Sequence, residues 1–161
     1  MQIRPYADSD WPAIWPIVRT VIQARETYAY DPAWSEDEAR AVWVERPPGH
    51  TVVALAGDVV LGTAKTAPNR PGPGRHVATA SFMVAPEGRG RGVGRALGEH
   101  VLAWARAQGY AAMQFNAVVE TNTAAVRLWQ SLGFAIVGTV PEAFEHARLG
   151  RVGLHVMHRY L

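Results

Sequence analysis

The sequence MVAPEGRGRGVGRAL, residues 83–97, ends an apolar strand, crosses a loop of glycine and arginine, and begins a helix. Four alternate glycines from Gly88 to Gly94 leave room for the backbone to come close to a bound group. Successive N–H groups that lead into a helix N-terminus attract phosphate, and arginines beside them add positive charge. The stretch therefore predicts a phosphate or pyrophosphate site. Its members are Arg89, Gly90, Arg91, Gly92, Val93, Gly94 and Arg95.

Two common phosphate motifs do not match this loop. A dinucleotide fingerprint needs a third glycine where Arg95 or Leu97 stands, and a P-loop needs a Gly-Lys-Ser/Thr run, which the single lysine, Lys65, does not supply. What remains is Arg89-x-x-Gly92-x-Gly94 directly after the strand. This pattern resembles motif A of the GCN5-related N-acetyltransferases (GNAT family), whose loop holds the pyrophosphate of acetyl-coenzyme A (acetyl-CoA).

A second motif lies about 30 residues further along. The run from Asn122 to Phe134, NTAAVRLWQSLGF, resembles the family pattern N-x-x-A-x-x-L-Y-x-x-x-G-F, with Trp129 in the tyrosine position. Together the two motifs cover roughly residues 76–140. The resemblance implies an α/β fold of the α+β, mixed-sheet kind: one N-acetyltransferase domain over residues 1–161. It further implies about seven strands and four helices, and a mostly antiparallel sheet splayed between strands four and five.

Local patterns predict the elements in chain order. A strand at 2–4 precedes a helix capped by Ser9 or Asp10, in which Pro16 favours a kink or a late start. The Ser35–Glu38 capping box opens a second helix that ends at Trp43. The remaining predictions are a hairpin of 51–56 and 59–66, a loop at 68–75, a strand at 76–84, a helix at 93–108, a strand at 112–119, a helix from Asn122 to Gly133, strands at 134–140 and 154–160, and a loop at 141–153.

Composition limits the classes of function. The chain has 161 residues, 48% of them apolar and 19% charged, which is typical of a soluble one-domain protein. It has no cysteine, no secretion signal and no apolar run of membrane-spanning length, so we expect a cytoplasmic protein without a membrane partner. The net charge of +2 comes with no basic stripe beyond the phosphate loop, so we expect no nucleic-acid partner.

The resemblance implies transfer of an acetyl group from acetyl-CoA to an amine, by direct attack in a ternary complex. The attacking amine must lose a proton, the oxyanion needs an N–H donor, and the leaving thiolate needs a proton or a dipole. In the family, the backbone of strand four, here Phe82, Met83 and Val84, pairs with the pantetheine arm and binds the acetyl oxygen. Asn122 would contact the pantetheine region, besides capping its helix.

Trp129 departs from the family pattern. The usual tyrosine hydroxyl protonates the thiolate, whereas an indole N–H donates a hydrogen bond but is no acid at neutral pH. Trp129 therefore either stabilises the sulfur or serves only as a core aromatic residue.

The identity of the general base is left open by the sequence. Strand four carries no carboxylate, although some family members have a glutamate there. Asn116 and Glu120 lie at or near the end of strand five, on the acceptor side, with a structural hydrogen bond and a solvated loop position as their respective alternatives. His76, His146 and His155 are further candidates, and no histidine has the H-E-x-x-H metal-ligand spacing, so no metal is expected.

The acceptor is a small amine in the leading interpretation. Tyr28, Tyr30, Arg75, His76 and the 141–153 loop are candidate walls of its site, and tyrosine with arginine would suit a carboxylate. The run from Phe115 to Asn122 together with RLWQSLGF most resembles a branch that includes fungal acetyltransferases of toxic proline analogues and phosphinothricin-type acetyltransferases. This resemblance indicates amino acids or their analogues.

Two alternatives stay open. The missing tyrosine and the missing strand-four carboxylate would suit a CoA-binding or sensing module that has lost catalysis. A peptide or protein N-terminal acetyltransferase would instead have an open acceptor groove. A homodimer is expected from the family resemblance.

Overall fold

The computed structural model describes residues 1–161 and consists of one sheet with helices on both faces. The strands are β1 (Gln2–Pro5), β2 (His50–Ala56), β3 (Val59–Pro68), β4 (Val77–Val84), β5 (Ala112–Val119), β6 (Ala135–His146) and β7 (Gly150–Tyr160). The helices are α1 (Trp11–Ala24), α2 (Glu36–Trp43), α3 (Val93–Ala107) and α4 (Thr123–Ser131).

The order of strands across the sheet is β1-β2-β3-β4-β5-β7-β6. All neighbours are antiparallel except β4 and β5, which are parallel and pair only at Val77 with Ala112 and at Ala78 with Met113. Beyond these two pairs the strands diverge and open a gap in the middle of the sheet. This mixed, mostly antiparallel sheet with four helices confirms the predicted fold class.

Two hydrophobic clusters cover the two faces of the sheet. Alternate residues of β2 belong to different clusters, Val52 and Ala54 to one and Val53 and Leu55 to the other, because successive strand side chains point to opposite faces. The first cluster holds the apolar stripes of α3 and α4, and the second holds those of α1 and α2. None of the helices combines the length and apolar character needed to cross a membrane.

The start of α1 differs from the sequence-based expectation. The Asp10 side chain makes no capping hydrogen bond to α1. Its carboxylate instead accepts hydrogen bonds from the Arg4 guanidinium, at 2.7 Å to each oxygen, and from the Ala7 N–H at 2.8 Å. Asp10, one of the two predicted caps, is the N-cap residue of α1, but its carboxylate is bound in this ion pair, which ties β1 to the start of the helix. Pro16 causes no late start, since α1 begins at Trp11.

The predicted loop at 141–153 is also wrong. β6 continues to His146 and β7 starts at Gly150, with pairs such as Phe144 with Val152, so only residues 147–149 form the turn. Pro141 and Glu142 lie in a register shift between Val140 and Phe144, and Glu142 has φ 51°. An edge strand tolerates proline at such a bulge, which is why Pro141 does not end the strand.

Candidate active site

The gap between β4 and β5 forms a cavity with a volume of about 220 Å³. The α1–α2 connection covers it on one side, and α4 borders it on the other. Its lining is mostly apolar, with a few hydroxyl and amide groups. The polar residues among the lining are Thr27, Tyr28, Tyr30, Thr79, Ser81, Asn116 and Asn122.

Tyr28 binds the backbone of β4 inside this cavity. Its hydroxyl donates to the Phe82 carbonyl oxygen at 2.8 Å and accepts from the Phe82 N–H, also at 2.8 Å. Burial raises the pKa of Tyr28 far above its ordinary value of 10.0, so the hydroxyl stays neutral and can both donate and accept. The Tyr28 ring packs against Tyr30, with centroids 5.3 Å apart, and against the edge of Trp43.

Trp129 lies at the α4 side of the cavity and is 7% exposed. Its ring packs against Phe82 at 4.6 Å and against Phe115 at 5.0 Å between centroids. The indole Nε1 donates no hydrogen bond within the protein, and no buried side-chain nitrogen or oxygen lacks a partner. Nε1 is therefore accessible from outside the protein, and Trp129 lines the cavity, so this N–H is free to donate to a bound group.

A second cavity adjoins the first and shares five lining residues with it, among them Tyr30, Ser81 and Asn116. It adds an ion pair to the site: Lys65 Nζ lies 3.0 Å from Glu45 Oε1. The same Nζ donates to the Val42 carbonyl oxygen at 2.6 Å, which fixes the lysine against the end of α2. The two adjoining cavities are together called the groove below, and the Glu45–Lys65 pair is its polar end.

Asn116 belongs to both cavities and is exposed. Its Nδ2 donates to Asn69 Oδ1 at 2.7 Å, and its Oδ1 accepts from Gln114 Nε2 at 2.8 Å. The side chain is thus oriented by hydrogen bonds and still lines the groove. The structural role and the site role that the sequence left open are compatible.

Glu120 lies outside the lining of both cavities. Its Oε1 accepts from the Gly153 N–H, and its own N–H donates to the Gly153 carbonyl oxygen at 3.0 Å. A Cβ at Gly153 would lie 2.8 Å from Glu120 Oε2, so a larger residue there would displace this carboxylate. Glu120 therefore joins the end of β5 to β7.

The glycine and arginine loop presents free donors at the start of α3. Gly92 is the N-cap with φ 77°, a left-handed conformation that favours glycine, and nothing lies within 4 Å of a Cβ built there. The N–H groups of Val93, Gly94 and Arg95 belong to the first helical turn and have no partner within the helix. Arg89 and Arg91 are exposed beside them. This arrangement fits a pyrophosphate.

The other candidates lie in different places. Arg75 and His76 line a separate surface depression, away from the tyrosines. His155 Nδ1 pairs with Thr139 Oγ1 at 2.7 Å, and the buried His146 accepts from the Arg148 N–H at 3.1 Å. Asn122 lines the main cavity, and its Oδ1 caps α4 by accepting from the Ala125 N–H at 3.3 Å.

Sequence reasoning missed the polar wall of the groove. Thr79 and Ser81 are alternate residues of β4 and both line the two cavities. Their alternation with apolar neighbours was a usable signal. Glu45 and Lys65 are 20 residues apart, and no local pattern pairs them.

A family model described as the acetyltransferase (GNAT) family matches residues 13–134. The solved structure of a GCN5-related N-acetyltransferase from Kribbella flavida is 59% identical, with 99% of this chain and 97% of that chain covered and a TM-score of 0.97. The phosphinothricin acetyltransferase of Sinorhizobium meliloti, solved in complex with acetyl-CoA, is 25% identical over 99% of this chain and 88% of that chain, with a TM-score of 0.87.

A curated relative, N-acetyltransferase aca1 of Schizosaccharomyces pombe, is 36% identical over 84 residues. The match covers 52% of this chain and 40% of that protein, so the chain spans less than half the length of this relative.

Proposed function

This chain belongs to the GNAT family, and we propose that it is an acetyl-CoA-dependent N-acetyltransferase whose acceptor is the amine of a small molecule, an amino acid or an analogue of one. The observation that carries the proposal is the small volume of the cavity between β4 and β5, about 220 Å³, which suits a small acceptor better than a peptide chain. Its lining combines aromatic side chains with hydroxyl and amide groups. The similarity to a phosphinothricin acetyltransferase supports the same class of acceptor.

The residues of this chain fit the acetyl donor. The free N–H groups of Val93, Gly94 and Arg95 would bind the pyrophosphate, with Arg89 and Arg91 adding charge. On β4, the Val84 backbone would pair with the pantetheine arm and the Phe82 N–H would hold the acetyl oxygen, whereas alternation along the strand turns the backbone of Met83 towards β3. Asn122 lies in the cavity lining. When bound, acetyl-CoA supplies an activated acetyl group.

We assign the transfer to a ternary complex in which the neutral acceptor amine attacks the acetyl carbon directly. The Phe82 N–H would stabilise the negative charge that develops on the acetyl oxygen. The open Nε1 of Trp129 would donate a hydrogen bond to the sulfur as it leaves. Thiolate stabilisation by an indole would then replace the proton transfer expected from a tyrosine.

The acceptor proton would leave through water bound by Thr79, Ser81 and Asn116. These side chains line both cavities, so water held by them links the reaction site to the polar end of the groove. Glu45 is a carboxylate at that end, and its Oε2 makes no side-chain hydrogen bond. We propose Glu45 as the group that receives the proton. Glu120 is the alternative candidate for the base, and mutation of each glutamate distinguishes the two.

The acceptor would lie against Tyr30 and the Glu45–Lys65 pair. When its amine is neutral for attack, an amino acid still carries a carboxylate, which the Lys65 ammonium of this pair would bind, while Glu45 faces the amine. The assignments of Arg75 and His76 to the acceptor site remain predictions and require an acceptor long enough to reach a separate depression.

The test is thiol release from acetyl-CoA with a panel of amino acids, proline analogues, phosphinothricin, polyamines and short peptides. We expect turnover with an amino acid or an analogue and initial-rate patterns that intersect, as a ternary complex requires. Turnover with peptides alone would contradict the small-molecule proposal. Binding of acetyl-CoA without turnover of any amine would favour the non-catalytic CoA-binding module.

We further propose that two copies associate through β6. β6 is an edge strand of 12 residues, and the side chains of Val137 and Val140 are 70% and 53% exposed. An exposed apolar edge strand promotes aggregation unless another surface covers it. A second copy would extend the pairing and bury these residues. Analytical ultracentrifugation should give the mass of a dimer, and Val137→Lys should shift it to that of a monomer.

A further inference from the structure

We propose that the Tyr28 hydroxyl competes with the acetyl oxygen of the donor for one backbone N–H, that of Phe82, so that acetyl-CoA binds by displacing Tyr28. This inference rests on the proposed function, in which the β4 backbone holds the acetyl group. It gives Tyr28 a positioning role towards the donor rather than only towards the acceptor.

The strand geometry explains why the Phe82 amide faces the gap. The Ala85 N–H donates to the Leu61 carbonyl oxygen of β3 at 2.9 Å. Backbone groups alternate in direction along a strand, so those of Phe82 point away from β3. The pairing of β4 with β5 ends at Ala78, and no strand reaches Phe82 from that side.

One hydroxyl satisfies both backbone groups of Phe82. Tyr28 donates to the carbonyl oxygen and accepts from the N–H, each at 2.8 Å. In a continuous sheet, a backbone N–H and a backbone carbonyl of the neighbouring strand would make these two hydrogen bonds. Enclosed backbone groups are nearly always paired, and leaving them without a partner costs free energy. Tyr28 thus stands in for the missing strand at this position.

Displacement of Tyr28 does not require the sheet to move. Tyr28 lies in the connection between α1 and α2, outside any helix or strand, and its ring contacts the aromatic rings of Tyr30 and Trp43. A change of its side-chain torsion angles would release the Phe82 N–H. The oxygen of a bound acetyl group would then accept the hydrogen bond that the Phe82 N–H donates to the Tyr28 hydroxyl in the free protein.

The competition affects acetyl-CoA but not CoA. CoA carries a thiol and has no acetyl oxygen, so it leaves Tyr28 on the Phe82 amide. Return of the hydroxyl after transfer would also displace the amide oxygen of the acetylated product. Tyr28 would therefore weaken acetyl-CoA binding, leave CoA binding unchanged and favour release of the acetylated product.

The experiment compares acetyl-CoA and CoA binding to wild-type protein and Tyr28→Phe by calorimetry, with thermal melts of each. In the variant the Phe82 N–H has no competitor, so we expect acetyl-CoA to bind roughly tenfold more tightly, which corresponds to one hydrogen bond of ordinary strength. We expect CoA affinity to be unchanged and the variant without ligand to melt at a lower temperature. Tyr110→Phe removes the hydroxyl of a tyrosine that packs against Trp104 outside both cavities, and it should match the wild type in all measurements.

Unchanged or weaker acetyl-CoA binding by Tyr28→Phe, or an equal gain for CoA, would overturn the inference while leaving the proposed function intact. Failure of the wild-type protein to bind acetyl-CoA at all would overturn both. If Tyr28→Phe does not fold, wild-type protein with ¹⁵N-labelled phenylalanine gives four amide signals. One should move with acetyl-CoA and not with the thioether S-ethyl-CoA, and identical shifts from both ligands would contradict the competition.

Discussion

The rings of Trp129 and Phe82 lie 4.6 Å apart between centroids, so α4 contacts β4 at the residue whose backbone faces the gap in the sheet. We predict that Trp129→Phe keeps the fold and lowers kcat about tenfold, because one neutral hydrogen bond to the sulfur is lost. Trp129→Tyr restores the family's hydroxyl and should retain activity. Full activity of Trp129→Phe would mean that Trp129 is only a core residue.

The loop before α3 should be essential for donor binding. Gly92→Glu would place a carboxylate among the N–H groups at the helix start and repel the pyrophosphate, so we predict loss of measurable acetyl-CoA binding by calorimetry. Gly109→Glu is the matched control, because Gly109 has φ 80° and Gly92 has φ 77°, and nothing lies within 4 Å of a Cβ at either position. Equal acetyl-CoA affinities of the two variants would refute the phosphate-loop assignment.

The proposed proton path predicts that Glu45 and Lys65 differ in their effects. Glu45→Gln should lower kcat/KM roughly a hundredfold and remove the acid-side limb of its pH profile, because an amide cannot accept the proton. Lys65→Met breaks the same ion pair but leaves the carboxylate, so its pH profile should keep that limb. Equal profiles for both variants would show that the pair is only structural.

Glu120 can be tested separately because glutamine preserves its contact. The carbonyl oxygen of Glu120→Gln can still accept from the Gly153 N–H, whereas it cannot act as a base. We predict near wild-type kcat for Glu120→Gln and a lower melting temperature for Glu120→Ala. A large loss of kcat in Glu120→Gln would make Glu120 the base in place of Glu45.

The Arg4–Asp10 pair predicts a pH-dependent stability. Hydrogen bonds from Arg4 hold the pKa of Asp10 below its ordinary value of 3.8, so its contribution is present above that pH and is lost as pH falls through the lowered pKa. Asp10→Asn should reduce the free energy of unfolding at pH 7 by about 2 kcal/mol.

Denaturant titrations at several pH values provide the check. The difference between wild type and Asp10→Asn should shrink below pH 3.8. Asp8→Asn, which removes an exposed pair with Arg40, serves as a control and should change the free energy of unfolding by less than about 1 kcal/mol. A difference that persists in acid would exclude the carboxylate as its source.

Sequence patterns predicted the features that depend on neighbouring residues. The Ser35–Glu38 capping box forms as expected, with Ser35 N–H donating to Glu38 Oε2 at 2.8 Å. The glycine and arginine loop likewise leads into α3 at Val93, and α4 lies within the second motif, as the two motifs indicated.

What the sequence did not reveal depends on distant partners. Tyr28 and Phe82 are 54 residues apart and meet only because the sheet opens beside β4. Asp10 was expected to cap a helix because the competing partner, Arg4, lies on a different element. The sequence around Pro141 predicts the end of a strand, because it does not show that β6 is an edge strand, where a bulge is tolerated.

The single lysine of this chain makes the acceptor end of the groove accessible to spectroscopy. Lys65 Nζ is held between the Val42 carbonyl oxygen and Glu45, at the wall of the second cavity. Protein grown with ¹³C,¹⁵N-labelled lysine therefore gives one Nζ signal, and it needs no assignment. An acceptor that reaches this wall should shift that resonance, so amines can be screened for binding before any of them is known to be acetylated.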